Sequence, residues 1–205
     1  LTLIADRNSL PDLLTTFLND TDSVVQGSTM GAMASMGKES IGAILSIVEN
    51  VDSTEMQIGL ANWALTIIGD RDPEILKDAL SSENPRVRKA AISALASQIQ
   101  SPSCEEDRTL IYQSFQDPCA EIRSEAVILL GTIEDSEWSL DLLSEALSDQ
   151  DSLVRKSTAL SLMKLGCSSS IPKLQKQLED ESDPIVCNVL QLAINRLQKS
   201  LENHP

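Results

Sequence analysis

The sequence predicts an all-α protein, a right-handed α-α superhelix of about six helix pairs, and two observations lead to this prediction. The first is a helical pattern that returns six times along 205 residues, at intervals of 31 to 35 residues. The second is a hydrophobic content of 41% that includes only two Trp, one Tyr and two Phe. A period in this range is typical of stacked helix pairs, and small aliphatic side chains suit their close packing.

Each copy of the pattern is centred on an anchor position. The anchor residues are Gln26, Gln57, Arg88, Arg123, Arg155 and Cys187. Every anchor follows an aliphatic residue or Met, and mostly apolar or small residues occupy the third, fourth and seventh positions after it. We therefore expect one domain, 1–205. Its repeats are predicted at roughly 1–37, 38–69, 70–100, 101–134, 135–166 and 167–205.

In the first half, each repeat is a pair of helices. We call the first helix of a pair A and the second helix, which carries the anchor, B. The predicted helices here are part of 2–18, then 22–36, 39–48, 54–68, 73–80 and 85–99. Segment 39–48 has aliphatic residues at i, i+3, i+4 and i+7, the spacing of an amphipathic helix. Asn84 before Pro85 predicts a helix start. Gly37 and Gly69 are predicted to end helices in the left-handed conformation.

The second half repeats the alternation. Its predicted helices are 105–115, 118–133, 137–147, 152–165, 171–178 and 184–201. The acidic residues at 105–107 are expected at a helix start, where negative charge interacts favourably with the helix dipole. Gly166 is predicted to end a helix as Gly37 does.

Composition excludes several classes of function. The net charge is −15, and no cluster of Lys and Arg is present, so we expect no nucleic-acid partner. Apolar stretches are too short to span a membrane, so a soluble protein without membrane insertion is expected. Four widely separated cysteines suggest reduced thiols in a cytosolic protein. His204 is the single histidine, which excludes a multi-histidine metal site and a His-dependent nucleophile system.

The repeat pattern resembles HEAT repeats, and specifically the short HEAT-like repeat named after phycobilisome lyases. The segments that carry the resemblance are 84–95, Asn-Pro-Arg-Val-Arg-Lys-Ala-Ala-Ile-Ser-Ala-Leu, and 151–162, which has the same Val-Arg step. In this pattern the aliphatic residue before Arg fills the seam between repeats, and Arg ties the preceding turn to its neighbour. Arg88, Arg123 and Arg155 are therefore expected to be structural.

A longer segment, 57–73, is more specific. Its alanine-rich helix with Trp63, followed by Ile-Gly-Asp, resembles the smaller subunit of E/F-type phycobilin lyases. The family's Asp-Pro-Arg is replaced by Asp-Arg-Asp-Pro at 70–73, and Leu60-Ala61-Asn62 stands where the family has Arg before Trp. The resemblance implies a lyase subunit, or a lyase-like chaperone that assists covalent bilin attachment to, or folding of, a phycobiliprotein. These departures leave catalysis itself open.

The same resemblance implies partners and a location. The partners would be a phycobiliprotein subunit and a second HEAT-repeat lyase subunit, in the cyanobacterial cytoplasm or the plastid stroma. No cofactor would be bound permanently, and a bilin, a linear tetrapyrrole, would be bound transiently. The alternative is a non-enzymatic HEAT-repeat scaffold that binds another protein, such as a phycobilisome-degradation adaptor.

Candidate binding residues follow from bilin chemistry, and none is assigned a catalytic role. Propionates seek Arg or Lys, pyrrole N–H groups can donate to a carboxylate, and an aromatic ring offers a flat surface. The candidates, expected on the concave face, are Asn62, Trp63, Asp70, Arg86, Lys89, Met30 and Met33. Each has a plainer alternative: packing between repeats for Trp63, a turn position for Asp70, and core packing for the methionines, which can also serve at recognition surfaces.

Overall fold

A computed structural model describes residues 6–96, 99, 105–133 and 137–203, and within these ranges every regular element is a helix. His204 and Cys104 lie outside the described residues. Contacts between Cα atoms divide the chain into two compact units, Leu1–Gln98 and Ile99–Pro205. The organisation of 1–205 as one domain stays a prediction. None of the described helices has the length and apolar content that crossing a membrane requires.

The first unit contains three helix pairs. Its helices are α1 (Leu10–Asn19), α2 (Ser23–Ser35), α3 (Ile41–Glu49), α4 (Glu55–Arg71), α5 (Glu74–Lys77) and α6 (Pro85–Leu95). The helix predicted at 73–80 is shorter than expected, because α5 continues as a 3-10 helix, Asp78–Ser81. The B helices α2, α4 and α6 pack in succession, and each also contacts the A element before it. The unit therefore has the arrangement that the repeats predict.

The second unit repeats this arrangement. Its helices are α7 (Glu105–Phe115), α8 (Ala120–Leu130), α9 (Glu137–Ala146), α10 (Ser152–Leu165), α11 (Ile171–Asp180) and α12 (Pro184–Asn203). The B helices α8, α10 and α12 pack in succession, and α7, α9 and α11 each pack on the B helix that follows. The predicted all-α fold of stacked helix pairs is confirmed.

Two of the three glycine predictions are confirmed. Gly37 and Gly166 have φ angles of 62° and 68°, the left-handed region that ends a helix. Gly69 was predicted wrongly, since it lies inside α4 and is buried. The helix continues past Gly69 because its hydrogen bonds continue, and the Asp72 N–H donates to the carbonyl of Ile68 at 3.0 Å. Asn84 accepts a hydrogen bond from the Arg86 N–H, which confirms the predicted cap.

Five of the six anchor side chains make the same contact. Each donates a hydrogen bond to the backbone carbonyl six residues earlier, in the turn that precedes its B helix. The donor–acceptor pairs are Gln26–Asp20, Arg88–Ser82, Arg123–Asp117, Arg155–Asp149 and Cys187–Glu181. The distances are 2.8 to 2.9 Å for the nitrogen donors and 3.6 Å for the thiol. The period of the sequence therefore reflects a repeated cap on the turn between helices.

Gln57, the remaining anchor, stabilises its turn differently. Its side-chain oxygen accepts from the Thr54 N–H at 2.9 Å, while its own N–H donates to the Thr54 hydroxyl at 3.2 Å. This reciprocal arrangement is a capping box. It satisfies two helix-end donors of α4.

Two anchor arginines also connect successive repeats of the second unit. Arg123 forms a bidentate ion pair with Asp149, with both N···O distances 2.9 Å, and Arg155 forms one with Glu181 at 2.6 and 2.7 Å. The Glu181 side chain is 1% exposed. Hydrogen bonds from Arg155 lower the pKa of Glu181 to about 2, despite the opposing effect of burial. Burial is the largest single influence on the pKa of Asp149 and acts to raise it. The hydrogen bonds from Arg123 and the Asp151 N–H, together with the charges of Arg123 and Arg155, lower that pKa below its ordinary value.

Helices α8 and α10 are connected by small polar groups. The Ser124 and Ser157 hydroxyls lie 2.8 Å apart, and the Ser161 hydroxyl donates to the Val127 carbonyl at 3.1 Å. A Cβ atom added to Gly131 would lie 2.5 Å from the Ser161 Cβ and 3.0 Å from its Cα. Only glycine fits there, so this contact sets how closely the two helices approach.

We predict that Glu181→Gln destabilises the protein at pH 7 by about 3 kcal/mol, the free energy that corresponds to lowering a pKa from 4.5 to about 2. Because the folded-state pKa is the lower one, this stability is present above pH 4.5 and is lost as the pH falls toward 2. Urea unfolding followed by circular dichroism at several pH values measures it. Glu179→Gln, at an exposed position of α11, which ends just before Glu181, is the control. An equal loss at pH 7 and pH 2.5 would contradict the assignment.

We predict that Gly131→Ala lowers the free energy of unfolding by about 1 to 3 kcal/mol, because the added methyl group overpacks the α8–α10 contact. Ser161→Gly in the same chain should restore part of the loss by removing the nearest atoms. Gly42→Ala, where an added Cβ meets nothing within 4 Å, is the matched control. Equal thermal midpoints for the Gly131 and Gly42 variants would show that the contact does not limit helix approach.

Candidate binding surface on the first unit

All seven candidate residues lie on the three B helices of the first unit. Met30 and Met33 are on α2, Asn62, Trp63 and Asp70 on α4, and Arg86 and Lys89 on α6. They separate into a buried group and an accessible group. This division decides which of them can contact a ligand directly.

Met30 and Met33 form the buried group. Both side chains are fully buried, with 0% exposure, among the core residues of the unit. In this structure, neither methionine can therefore contact a bilin or a partner directly. The packing role, which the sequence analysis gave as the alternative, is the one that the structure gives them. The i, i+3 spacing places both on the inner side of α2.

Trp63 is the largest accessible residue of the surface. Its side chain is 48% exposed, and a Cβ on Gly31 would lie 4.0 Å from the indole Cη2. The ring thus extends from α4 toward α2, where a glycine leaves space. Added Cβ atoms at Gly27 and Gly59, one turn before Gly31 and Trp63, would meet nothing within 4 Å. The indole therefore lies beside Gly31 and remains open on about half of its surface.

Asn62 precedes the indole and is only partly satisfied. Its side-chain oxygen is buried, and no donor within the described residues reaches it. Its backbone carbonyl accepts from the Thr66 hydroxyl at 3.1 Å. A buried acceptor without a partner costs about 1 to 3 kcal/mol, so an N–H donor brought to this oxygen would be favoured.

The charged candidates differ in their surroundings. Arg86 is half-buried, and its guanidinium donates to the Asn50 carbonyl at 3.0 Å, which connects α6 to the turn after α3. Lys89 is exposed on α6, and Asp70 is exposed near the end of α4. Arg86 is therefore at least partly structural. Lys89 and Asp70 present their charges at the surface.

Met56 is an exposed apolar residue that the sequence analysis did not select. It is 54% exposed and lies two turns before Trp63 on α4. It occupies the position just before the anchor, where Val87, Ile122 and Val154 are buried. The sequence signal for this exposure is a flexible Met at a position where the other five repeats have a β-branched residue. Met56 extends the apolar part of the surface along α4.

This arrangement can bind and orient a flat ligand. It offers an exposed aromatic ring on α4, an unsatisfied acceptor next to it in sequence, and an exposed cation on the neighbouring helix α6. Among the described residues, no group of three or more His, Cys, Asp or Glu is placed to bind a metal ion. Two clefts, of about 440 and 320 Å³, lie in the second unit, and none of the candidate residues lines them.

Comparisons with known proteins agree with the repeat architecture. Residues 108–195 match the family model for HEAT repeats. The structure is similar to E. coli YibA, with a TM-score of 0.51 and 22% identity over 94% of this chain and 68% of that one. It is also similar to a designed armadillo repeat protein in complex with the peptide (KR)4, with a TM-score of 0.50 and 20% identity over 92% of this chain and 99% of that one.

One curated relative is considerably more similar in sequence. The chain is 41% identical over 159 residues to bilin biosynthesis protein MpeU of Synechococcus sp. strain WH8020. The match covers 78% of this chain and 54% of the relative, so the chain spans about half of the relative's length. The chain therefore matches HEAT repeats over residues 108–195, and its sequence is related, over most of its length, to a bilin biosynthesis protein.

Proposed function

We propose that the chain is a phycobilin lyase subunit or a lyase-like chaperone, which assists covalent bilin attachment to, or folding of, a phycobiliprotein. The observation that carries the proposal is the 41% identity to a bilin biosynthesis protein. The exposed Trp63 and its neighbours supply a surface of suitable chemistry on α4, within the segment whose sequence resembles the lyase family.

The reaction itself asks little acid–base chemistry of the helper protein. The thiol of the acceptor cysteine adds across a conjugated vinylic bond of the bilin. A carbon–sulfur bond forms, and the thiol proton is transferred to the bilin carbon framework, so no oxidant or reductant is needed. The helper chiefly has to bind, orient and shield the bilin, which lowers the entropic part of the barrier.

The α4 surface has groups that match a bilin. The indole of Trp63 can stack on a planar pyrrole pair, as aromatic groups do in offset arrangements. The Asn62 side chain would turn its buried oxygen outward to accept from a pyrrole N–H group, and Lys89 would interact with a propionate. Asp70 is a second acceptor for N–H groups. No residue is assigned as a catalytic acid, base or nucleophile.

The partners in this proposal are the phycobiliprotein subunit that receives the bilin and a second HEAT-repeat lyase subunit. The bilin is bound only transiently, since it leaves on the acceptor protein. Such a substrate would place the chain in the cyanobacterial cytoplasm or the plastid stroma. The competing proposal, a scaffold that binds a protein without binding bilin, differs in one measurable property, the affinity for free bilin.

We expect that co-expression of the chain with a phycobiliprotein subunit and a bilin-synthesis system raises the fraction of subunit that carries covalent bilin. Trp63→Ala should reduce that gain about fivefold, corresponding to roughly 1 kcal/mol of lost aromatic stacking. Zinc-enhanced fluorescence of denatured subunit on a gel measures the attached bilin. Tyr112→Ala, a similarly exposed aromatic residue of the second unit, is the control. Unchanged bilin attachment and unchanged subunit solubility with and without the chain would refute the proposal.

Free bilin should bind the purified chain with a red shift in absorbance and an increase in fluorescence, because a bound bilin is held in a more rigid conformation. Asn62→Leu should weaken this binding, since it removes the only proposed acceptor beside the indole. Titration of bilin into each protein measures both effects, with Asn188→Leu on α12 as the control. A wild-type chain that binds the phycobiliprotein subunit but produces no spectral change would support the scaffold instead.

A further inference from the structure

Three exposed aliphatic residues occupy equivalent positions on the B helices of the second unit. They are Ile128, Leu160 and Leu192, which we call the aliphatic row. Each lies five residues after its anchor, and they are 32 residues apart. Their exposures are 47%, 39% and 54%, respectively. One large apolar side chain per repeat therefore faces solvent at a fixed register.

The helices that carry the row are side by side. Helix α10 packs against both α8 and α12. The Ser124–Ser157 hydroxyl contact and the Ser161–Val127 hydrogen bond connect α8 to α10 on either side of the row. Neighbouring packed helices are about 8 to 10 Å apart, so the row is about 16 to 20 Å long. It places one exposed apolar side chain on each of three helices packed side by side.

The fold does not require aliphatic residues at this register. The equivalent positions in the first unit are Gly31, Asn62 and Ser93, which are small or polar. These three repeats have the same helix-pair arrangement, so stacking alone does not explain the row. Binding of a partner at this surface would account for three apolar side chains that the fold does not require.

On α10 and α12, the charged residues next to the row are mainly positive. Lys156 and Lys164 lie one turn before and one turn after Leu160, and Arg196 lies one turn after Leu192. In the described part of the chain, these three cations make no hydrogen bond or ion pair. Glu121 and Glu125 on α8 are the acidic residues at the other edge, and both have interactions already. A chain of net charge −15 thus has unpaired cations beside its apolar row.

We propose that the aliphatic row binds an acidic amphipathic helix of the phycobiliprotein subunit, and this inference rests on the proposed function. A helix laid along 16 to 20 Å has about 11 to 13 residues, at 1.5 Å per residue. Its apolar side chains, three or four positions apart, pack on the row in the manner of helix-in-groove recognition. Its carboxylates pair with Lys156, Lys164 and Arg196, so negative charge on the bound helix matches positive charge beside the row.

Binding of the purified apo-subunit of a phycobiliprotein to the purified chain tests this inference. Leu160→Glu with Leu192→Glu should weaken binding at least about tenfold, because it places charges in the apolar contact and repels the acidic helix. Lys164→Glu with Arg196→Glu should also weaken binding and reduce its dependence on salt. All four positions are exposed, and circular dichroism verifies that each variant folds. Isothermal titration calorimetry at two salt concentrations measures the binding.

Two controls match these changes. Val51→Glu introduces a charge at an 82% exposed aliphatic residue outside the row, and Lys176→Glu reverses a charge at an exposed position of α11. Both should leave subunit binding unchanged. The row variants should retain the spectral change with free bilin, because Trp63 lies in the other unit.

The outcomes separate this inference from the proposed function. Subunit binding that is unaffected by both row variants would overturn the inference, as would no subunit binding by a chain that binds free bilin. A chain that dimerises, and loses its dimer in Leu160→Glu, would overturn it in favour of contact with a second copy. Row-dependent subunit binding without any bilin effect would support the row and count against the bilin function.

Discussion

The hydrogen bond from an anchor side chain to the carbonyl six residues earlier is the interaction on which the repeats depend. It fixes the turn before five of the six B helices, and thereby the direction in which each of these helices leaves its turn. Gln26, three arginines and Cys187 make it with different chemical groups. The position is therefore selected for a donor that can reach back over the turn. Arg123 and Arg155 add a second function, because their remaining N–H groups reach an acidic side chain of the next repeat.

The helix pairs could be predicted because each depends on local signals. Periodic aliphatic residues, Asn84 with its following proline, and Gly37 and Gly166 all act within a few residues of sequence. Gly69 could not be predicted, since the same residue type ends a helix or lies buried within one according to tertiary packing. The bidentate partners of the arginines lie 26 residues ahead, and no local pattern indicates which carboxylate they reach.

The candidate surface was predictable in its aromatic centre and less so in its surroundings. Trp63 is exposed, and the segment that contains it had been selected by its resemblance to a lyase family. Met30 and Met33 were misplaced because helical spacing does not tell the inner face from the outer one. Met56 and the aliphatic row required measured exposure, because Met, Ile and Leu are equally suited to a core. The two units thus differ at the register of the aliphatic row, which carries small or polar residues in the first unit and large apolar residues with cations beside them in the second.

Asp149 belongs to two repeat contacts at once. Its carboxylate accepts from Arg123, and its backbone carbonyl accepts from Arg155, which in turn pairs with Glu181. A fluctuation that opens the turn at Asp149 must therefore release both arginines together. In a linear array, such shared residues raise the nearest-neighbour coupling relative to the stability of each repeat alone. The last three repeats should accordingly exchange their amide hydrogens as one cooperative block.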